Sequence, residues 1–316
     1  MSLIEKAAQR LEKLKQAAGD DVDAFEPAVA TVSDRPQPAV EPVPAVQSSA
    51  VPRPAPMRTN PVVSRSVTID LERLHHIGMV TPEHSRSALA EEFRVIKRPL
   101  LHNATATGPA AVDSGNLIMV TSALPGEGKS FTAVNLAISM AMELDHTGLL
   151  VDADVSRPSI LRHLGLAPER GLMDVLSGEV DDLGEVLLRT NIEKLSILPA
   201  GMPHPRATEL LASDGMNQLL EQIANRYPDR IVVFDSPPLL VTTEARVLAT
   251  HMGQIVMVVE AERTTQGSVR QALATIESCP VKLMVLNKSR RSGPGSYYGY
   301  GYGYGYGAEG GPQQAA

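Results

Sequence analysis

The segment NLIMVTSALPGEGKSFTAVNLAISMA, from Asn116 to Ala141, constrains this chain more than any other. An apolar run ends at Ser122, a loop containing Gly126 and Gly128 follows, and Lys129-Ser130 opens a stretch of helical character. Ala123, four intervening residues and then Gly-Lys-Ser make a P-loop pattern with Ala in the first glycine position. Each residue type has a physical task. Gly126 and Gly128 let the backbone curl so that successive N–H groups converge on phosphate oxygens. A helix starting near Lys129 adds the positive end of its dipole. Lys129 is suited to bridging the β- and γ-phosphates, and the Ser130 hydroxyl to binding Mg2+. A plain glycine turn is the alternative, but it would need neither the lysine nor the flanking strand and helix.

A strand–loop–helix unit of this kind requires a parallel sheet around it. Apolar runs at 116–122, 148–154, 194–200, 230–236, 254–260 and 281–287 supply the strands. They are continuous rather than alternating, the pattern of strands buried on both faces. Helical patterns lie between and before them, one of them SRSALAEEFRVIKRPLLHNA at 85–104. The expected fold is α/β, a doubly wound, mostly parallel sheet of P-loop NTPase type over residues 67–288. Ahead of it, residues 1–17 carry Leu3, Ile4, Ala7, Leu11 and Leu14 at helical spacing, an amphipathic helix. Residues 18–66 are rich in Pro, Ala and Val, the composition of a disordered linker.

Two further strand ends carry carboxylates. LLVDADVSRP puts Asp152 and Asp154 two apart at the end of a buried run, on one side of the expected strand. IVVFDSPPLL ends another run in Asp235. Ligands of open parallel sheets bind at the strand C-termini, so three carboxylates gather where the phosphates would sit. Mg2+ would offset their mutual repulsion; capping of the next helix is the plainer alternative, strongest for Asp154.

Residues 289–316 form a tail with the run GSYYGYGYGYGYG. It holds six of the seven tyrosines: Tyr297, Tyr298, Tyr300, Tyr302, Tyr304 and Tyr306. Alternating glycine offers nothing to bury and is costly to order, so these rings do not serve a core. They are either adhesive or substrates through their hydroxyls.

Composition narrows the rest. A net charge of −7 argues against a nucleic-acid partner. The single Cys279 excludes an internal disulfide framework and suits a reducing compartment, where it acts as a small apolar residue. The adjacent His75-His76 pair points to different sides of a helix and gives no metal-ligand spacing. No apolar stretch approaches a membrane span, and Glu5, Lys6 and Arg10 break any leader pattern. The expectation is a cytoplasmic chain.

The three motifs together, Ala-x4-Gly-Lys-Ser, VDADVSRP and VVFDSPP, resemble the Walker A, A′ and B motifs of the bacterial tyrosine kinases, P-loop autokinases of exopolysaccharide assembly. The chain is most similar to the autokinases of exosortase-associated polysaccharide loci, over roughly residues 67 to 306. The resemblance implies an ATP- and Mg2+-dependent protein-tyrosine kinase that phosphorylates its own tyrosine cluster. It implies nucleotide contacts from Gly126, Glu127, Gly128, Lys129, Ser130 and Phe131, with Asn287 at the nucleobase. It implies metal binding by Ser130, Asp152 and Asp235, and catalytic roles for Lys129, Asp152, Asp154 and Asp235, with Asp152 preferred as the group that orients the attacking phenol. The family's helical Glu-x-x-Arg-x-x-Arg motif implies ring assembly; here Glu91, Arg94 and Lys97 occupy it, and Lys is not equivalent to Arg at a bidentate site. A solvated helix face is the alternative there. Ser156 stands where many relatives carry Arg, with Arg157 next. Implied partners are a membrane co-polymerase of the chain-length-determinant type, holding the kinase at the inner face of the membrane, and a tyrosine phosphatase. A partitioning-type ATPase shares the P-loop class, but its extra early lysine is missing from ALPGEGKS. A non-catalytic scaffold would leave the phosphate and metal set without use.

Overall fold

The computed structural model describes residues 65–226 and 229–289. The expected amphipathic helix at 1–17, the linker up to residue 64 and the six tail tyrosines lie outside the described residues. The strands are β1 (Arg65–Val67), β2 (Leu117–Ser122), β3 (Thr147–Asp152), β4 (Leu188–Thr190), β5 (Leu195–Leu198), β6 (Arg230–Asp235), β7 (Gln254–Glu260) and β8 (Val281–Asn287). They form one sheet in the order β1-β4-β5-β3-β6-β2-β7-β8. Every pairing is parallel except β4 with β5. The chain therefore runs from β2 past one position to β3, and β6 later fills the gap, so β2, β3 and β6 end side by side.

Alternate residues of the central strands feed two cores, as a two-residue side-chain period requires. Leu117 and Met119 enter one core with Val232 and Phe234. Ile118 and Val120 enter the other with Val233 and Val256. Helices α1 (Leu71–His76), α2 (Ala88–Thr105), α3 (Lys129–Ala141) and α4 (Ile160–Leu164) cover the second core. The helices α5 (Leu172–Leu176), α6 (Leu183–Val186), α7 (Ala207–Leu211), α8 (Asp214–Arg226), α9 (Glu244–Ala249) and α10 (Gln266–Ala274) cover the first. This is the expected doubly wound α/β sheet. No described helix is long and apolar enough to cross a membrane.

Three local expectations are corrected. The strand expected at 148–154 ends at Asp152, and Asp154 sits in the turn beyond, its carbonyl accepting the Arg157 N–H at 3.0 Å; the two aspartates do not share a strand face. β8 is an edge strand, not one buried on both faces: Leu283 and Val285 face the core, while Met284 and Leu286 are exposed. The third concerns α2, which begins at the Ser87 cap with its hydroxyl accepting the Ala90 N–H at 3.2 Å. Steps of three residues fall about 60° short of a turn, so Lys97 stands about 120° round the helix from Glu91. Glu91 and Arg94 pair with each other at the surface. Lys97 is buried with Phe93 and Leu100, and its ammonium donates to the Ser139 carbonyl at 2.6 Å and meets Glu143 Oε1 at 2.7 Å. Burial lowers the Lys97 pKa, with Glu143 opposing that shift. Lys97 ties α2 to the C-terminal end of α3 and is not part of an exposed assembly face.

Lys97→Ala is accordingly expected to destabilise the chain by about 1–3 kcal/mol through the stranded Glu143 and Ser139 groups. Arg94→Ala is expected to cost no more than about 0.5 kcal/mol. Urea denaturation of both variants checks the contrast; equal losses would return Lys97 to the surface.

Candidate active site

The loop between β2 and α3 is pinned from behind. Gly126 and Gly128 adopt φ of +87° and +100°, left-handed values that other residues rarely hold. A Cβ on Gly128 would also lie 2.1 Å from Asn287 Nδ2. Glu127 is only 2% exposed. Its Oε2 accepts the Leu124 N–H at 2.7 Å, and its Oε1 accepts the Thr264 hydroxyl. The Glu127 carbonyl accepts Asn287 Nδ2 at 2.9 Å, and the Gly126 carbonyl accepts Lys288 Nζ at 2.7 Å. Lys288 also pairs with Glu260 Oε2 at 3.2 Å. The Glu127 side chain is thus a staple joining the loop to the segment after β7, rather than a nucleotide contact. A carboxylate in a loop shaped for phosphate is an electrostatic misfit unless it turns away, and that was the available signal. The Phe131 ring lies 6.5 Å from the Phe93 ring and packs on the α2 side, so a nucleotide contact from this residue falls to its backbone. Asn287 meets the loop, with its amide donating to backbone.

In front of the loop the charges converge. Lys129 Nζ lies 2.7 Å from Asp154 Oδ2, 3.7 Å from Asp235 Oδ1 and 3.3 Å from Ser130 Oγ. Burial works to lower the Lys129 pKa, but Asp235 and Asp154 outweigh it and hold the ammonium charged. Asp152 and Asp235 are register partners across β3 and β6. Burial, reinforced by Asp235, pushes Asp152 up to about 7. Burial likewise pushes Asp235 up to about 6, against the pull of Lys129. Asp152 Oδ2 accepts the N–H groups of Ser159 and Ile160, both at 3.0 Å. Among the described residues, no hydrogen-bond partner reaches the buried Asp152 Oδ1 or either buried oxygen of Asp235.

Two cavities border these residues, with Arg162 lining both. One of about 370 Å3 is lined by Gly126, Lys129, Ser130, Asp154 and Pro238. The other, about 510 Å3, is bordered by Asp152 and lies toward β5 and α4. The expected trio therefore divides: Asp154 faces the lysine, Asp235 lies beneath it, and Asp152 turns to a separate space. Among the described residues, no group of three or more His, Cys, Asp or Glu could hold a metal by itself.

Residues 115–288 match the model of a family described as an AAA domain. The tyrosine-protein kinase YwqD of Bacillus subtilis is 31% identical over 224 residues, which cover 70% of this chain and 89% of YwqD. The chain belongs to the bacterial tyrosine-protein kinase family. Other members of that family and its relatives are longer. The tyrosine-protein kinase ptk of Acinetobacter johnsonii is 29% identical over 75% of this chain and 31% of its own length. The succinoglycan biosynthesis transport protein ExoP of Rhizobium meliloti is 34% identical over 73% of this chain and 28% of its own. The chain thus spans under a third of both. The solved kinase domain of Escherichia coli tyrosine kinase ETK superposes with a TM-score of 0.58 at 27% identity, covering 77% of this chain and 94% of that domain.

The raised carboxylates set a pH dependence. With folded pKa values of about 7 and about 6, above their unfolded values, the native state binds more protons than the unfolded chain across that interval. Their contribution to stability is fullest below about pH 4 and is lost as pH rises through about 6 to 7. Asp152→Asn cannot ionise, so without nucleotide or Mg2+ its melting temperature should gain on wild type as pH rises from about 5 to about 8. A constant difference across a thermal-shift series would contradict the burial of an ionisable Asp152.

Proposed function

We propose that this chain is an ATP-dependent protein-tyrosine autokinase, transferring the γ-phosphoryl group of ATP to Tyr297, Tyr298, Tyr300, Tyr302, Tyr304 and Tyr306, in the service of exopolysaccharide assembly. The observation that carries this reading is Lys129, set between Asp154 and Asp235 on a P-loop at the same sheet edge from which the tyrosine tail departs. Phosphoryl transfer is mostly positioning and charge stabilisation. Lys129 holds the β- and γ-phosphates, the α3 N-terminus and loop N–H groups cradle them, and a carboxylate orients the incoming phenol. Ser130 and, through water, Asp235 fit a magnesium ion, because Asp235 is buried beside Ser130 and Lys129 and no hydrogen-bond partner among the described residues lies within normal geometry of either of its oxygens. When bound, Mg2+ neutralises charge on the phosphates. Asn287 is assigned to the nucleobase.

Regulation follows from charge. Each phosphate adds about −1.5 to −2, so a fully modified tail gains on the order of −10. Such a tail is repelled by the acidic pocket and by its fellows, loosening an assembly whose surface includes Glu91 and Arg94; a separate phosphatase resets it. The likeness to ExoP supports a polysaccharide setting. We place the chain in the cytoplasm at the inner face of the membrane, held there by a co-polymerase of the chain-length-determinant type.

Lys129→Met keeps the side-chain length and removes the charge. Phosphotyrosine should vanish on incubation with ATP and Mg2+ while circular dichroism stays unchanged; a blot matching wild type would overturn the assignment. A Lys129→Met chain with its tail, mixed with an active chain cut after Ser289, should gain phosphate on the tail if transfer runs between copies.

A further inference from the structure

β8 is an edge of the sheet, and among the described residues no strand lies beyond it. A row of unpaired N–H and C=O groups is a template for another strand, so edges are commonly kept short or broken by a bulge. β1, at the other edge, has three residues. β8 has seven, Val281–Asn287, in unbroken register with β7 and so without a bulge. From this geometry we infer that β8 is an interaction surface for a second copy of this chain: two β8 strands pair antiparallel about a twofold axis at Met284 and join the two sheets. The inference is independent of the kinase reading and of the α2 face that carries Glu91 and Arg94.

The ladder fixes which groups are open. The Asn287 carbonyl accepts the Ala261 N–H at 2.9 Å, so Asn287 directs its backbone groups toward β7. Along a strand both the backbone groups and the side chains alternate sides. Val281, Leu283 and Val285 therefore also bond toward β7, while Lys282, Met284 and Leu286 turn their N–H and C=O groups outward. The same residues carry the exposed side chains: Met284 is 58% and Leu286 64% exposed, whereas Leu283 and Val285 face the core. An open backbone edge and an apolar stripe thus coincide. Strand addition uses that combination, with main-chain bonds for affinity and alternate side chains for fit.

The sequence of β8 is complementary to itself in one register. Contact between identical patches is isologous, which for two equal edge strands means antiparallel pairing about a central residue. Centred on Met284, the strand sets Met284 against its own copy and Lys282 against the second copy's Leu286, and every outward N–H faces an outward carbonyl. Lys282 brings no bare charge to that contact. Its ammonium turns back onto the Glu277 carbonyl at 3.3 Å and onto the Cys279 carbonyl, which leaves its stem for Leu286. The neighbouring registers fail. Centring on Lys282 places two lysines side by side and sets Met284 opposite Pro280, which has no N–H to donate. Centring on Leu286 draws in Lys288, whose φ of +58° takes it out of strand geometry and whose ammonium is committed to the Gly126 carbonyl and Glu260.

Pairing braces the strand whose last residues hold the phosphate loop. It also sends the two loops to opposite ends of the joint sheet, since each lies at the C-terminal end of its own strands. One strand pair is a small interface beside the about 1,600 Å2 of stable complexes, so the dimer should form reversibly and depend on protein concentration.

Two measurements on the full chain test this. Under mild oxidation Met284→Cys should form a disulfide-linked dimer at least about tenfold faster than Lys282→Cys. Opposed residues that exchange hydrogen bonds stand about 5.5 Å apart at Cα, within disulfide range, whereas the two Lys282 positions would be about 14 Å apart. A mixture of Lys282→Cys and Leu286→Cys chains should cross-link as Met284→Cys does. Cys279 is buried and does not compete. In sedimentation, with Arg94→Ala present throughout to silence the α2 face, Met284→Pro should weaken self-association by about tenfold or more at an unchanged melting temperature, because the N–H it removes points away from β7. Equal cross-linking by Met284→Cys and Lys282→Cys, or none by either, would overturn the pairing, as would a folded Met284→Pro chain that associates as strongly as its Met284 parent. If Met284→Pro does not fold, the cross-linking comparison decides alone.

Discussion

One ammonium group holds the centre of this molecule together. The ends of β3 and β6 bring Asp152 and Asp235 into register, and the following turn adds Asp154. Burial strips Asp152 and Asp235 of hydration, and repulsion between the neighbouring carboxylates adds to it, which is why these two hold protons above the usual range. Lys129 compensates for this only in part, contacting Asp154 closely and Asp235 at longer range. The remaining imbalance gives the site its chemistry: a cluster left short of positive charge and of donors is ready for a metal–phosphate group. The loop that carries Lys129 is in turn held by Glu127, Asn287 and Lys288, so the lysine's placement depends on contacts from the β7–β8 flank of the sheet.

Much of the sheet was legible because its strands are central and apolar throughout. β7 and β8 were bounded correctly by the runs at 254–260 and 281–287, and β2 and β6 to within one residue. The edges were not legible. β1 and β4 have three residues each, too few for any period to show, and they are strands only because neighbours supply hydrogen-bond partners. β8 misled in another way: its composition is that of a buried strand, but among the described residues no strand lies beyond it, and exposure at an edge is decided by strand order, which local sequence does not encode.

The site divides along the same line. Lys129, Ser130 and the positive-φ glycines follow from a local pattern with a local reason. Lys97 and Glu127 do not, because each finds its partner through tertiary contact: Ser139 on another helix and Glu143 just beyond that helix's end for the first, Thr264 for the second. Charge made both look like surface or ligand contacts. The separation of Asp152 from Asp154 was hidden for a similar reason, since it depends on the strand stopping two residues earlier than its apolar run suggested.

The grip of Lys288 and Asn287 on the phosphate loop bears on how deletions of the C-terminus should be interpreted. Shortening the chain to remove its tyrosines is safe only if the cut falls beyond these two residues. A cut a few positions earlier would strip the Gly126 and Glu127 carbonyls of these donors and remove the Lys288 partner of Glu260. A resulting loss of nucleotide would be indistinguishable, in a simple activity assay, from loss of the proposed phosphorylation sites. Two defects with different causes would then share one phenotype, and a mapping series that crosses this boundary would assign the tail a requirement that belongs to its last anchored residues.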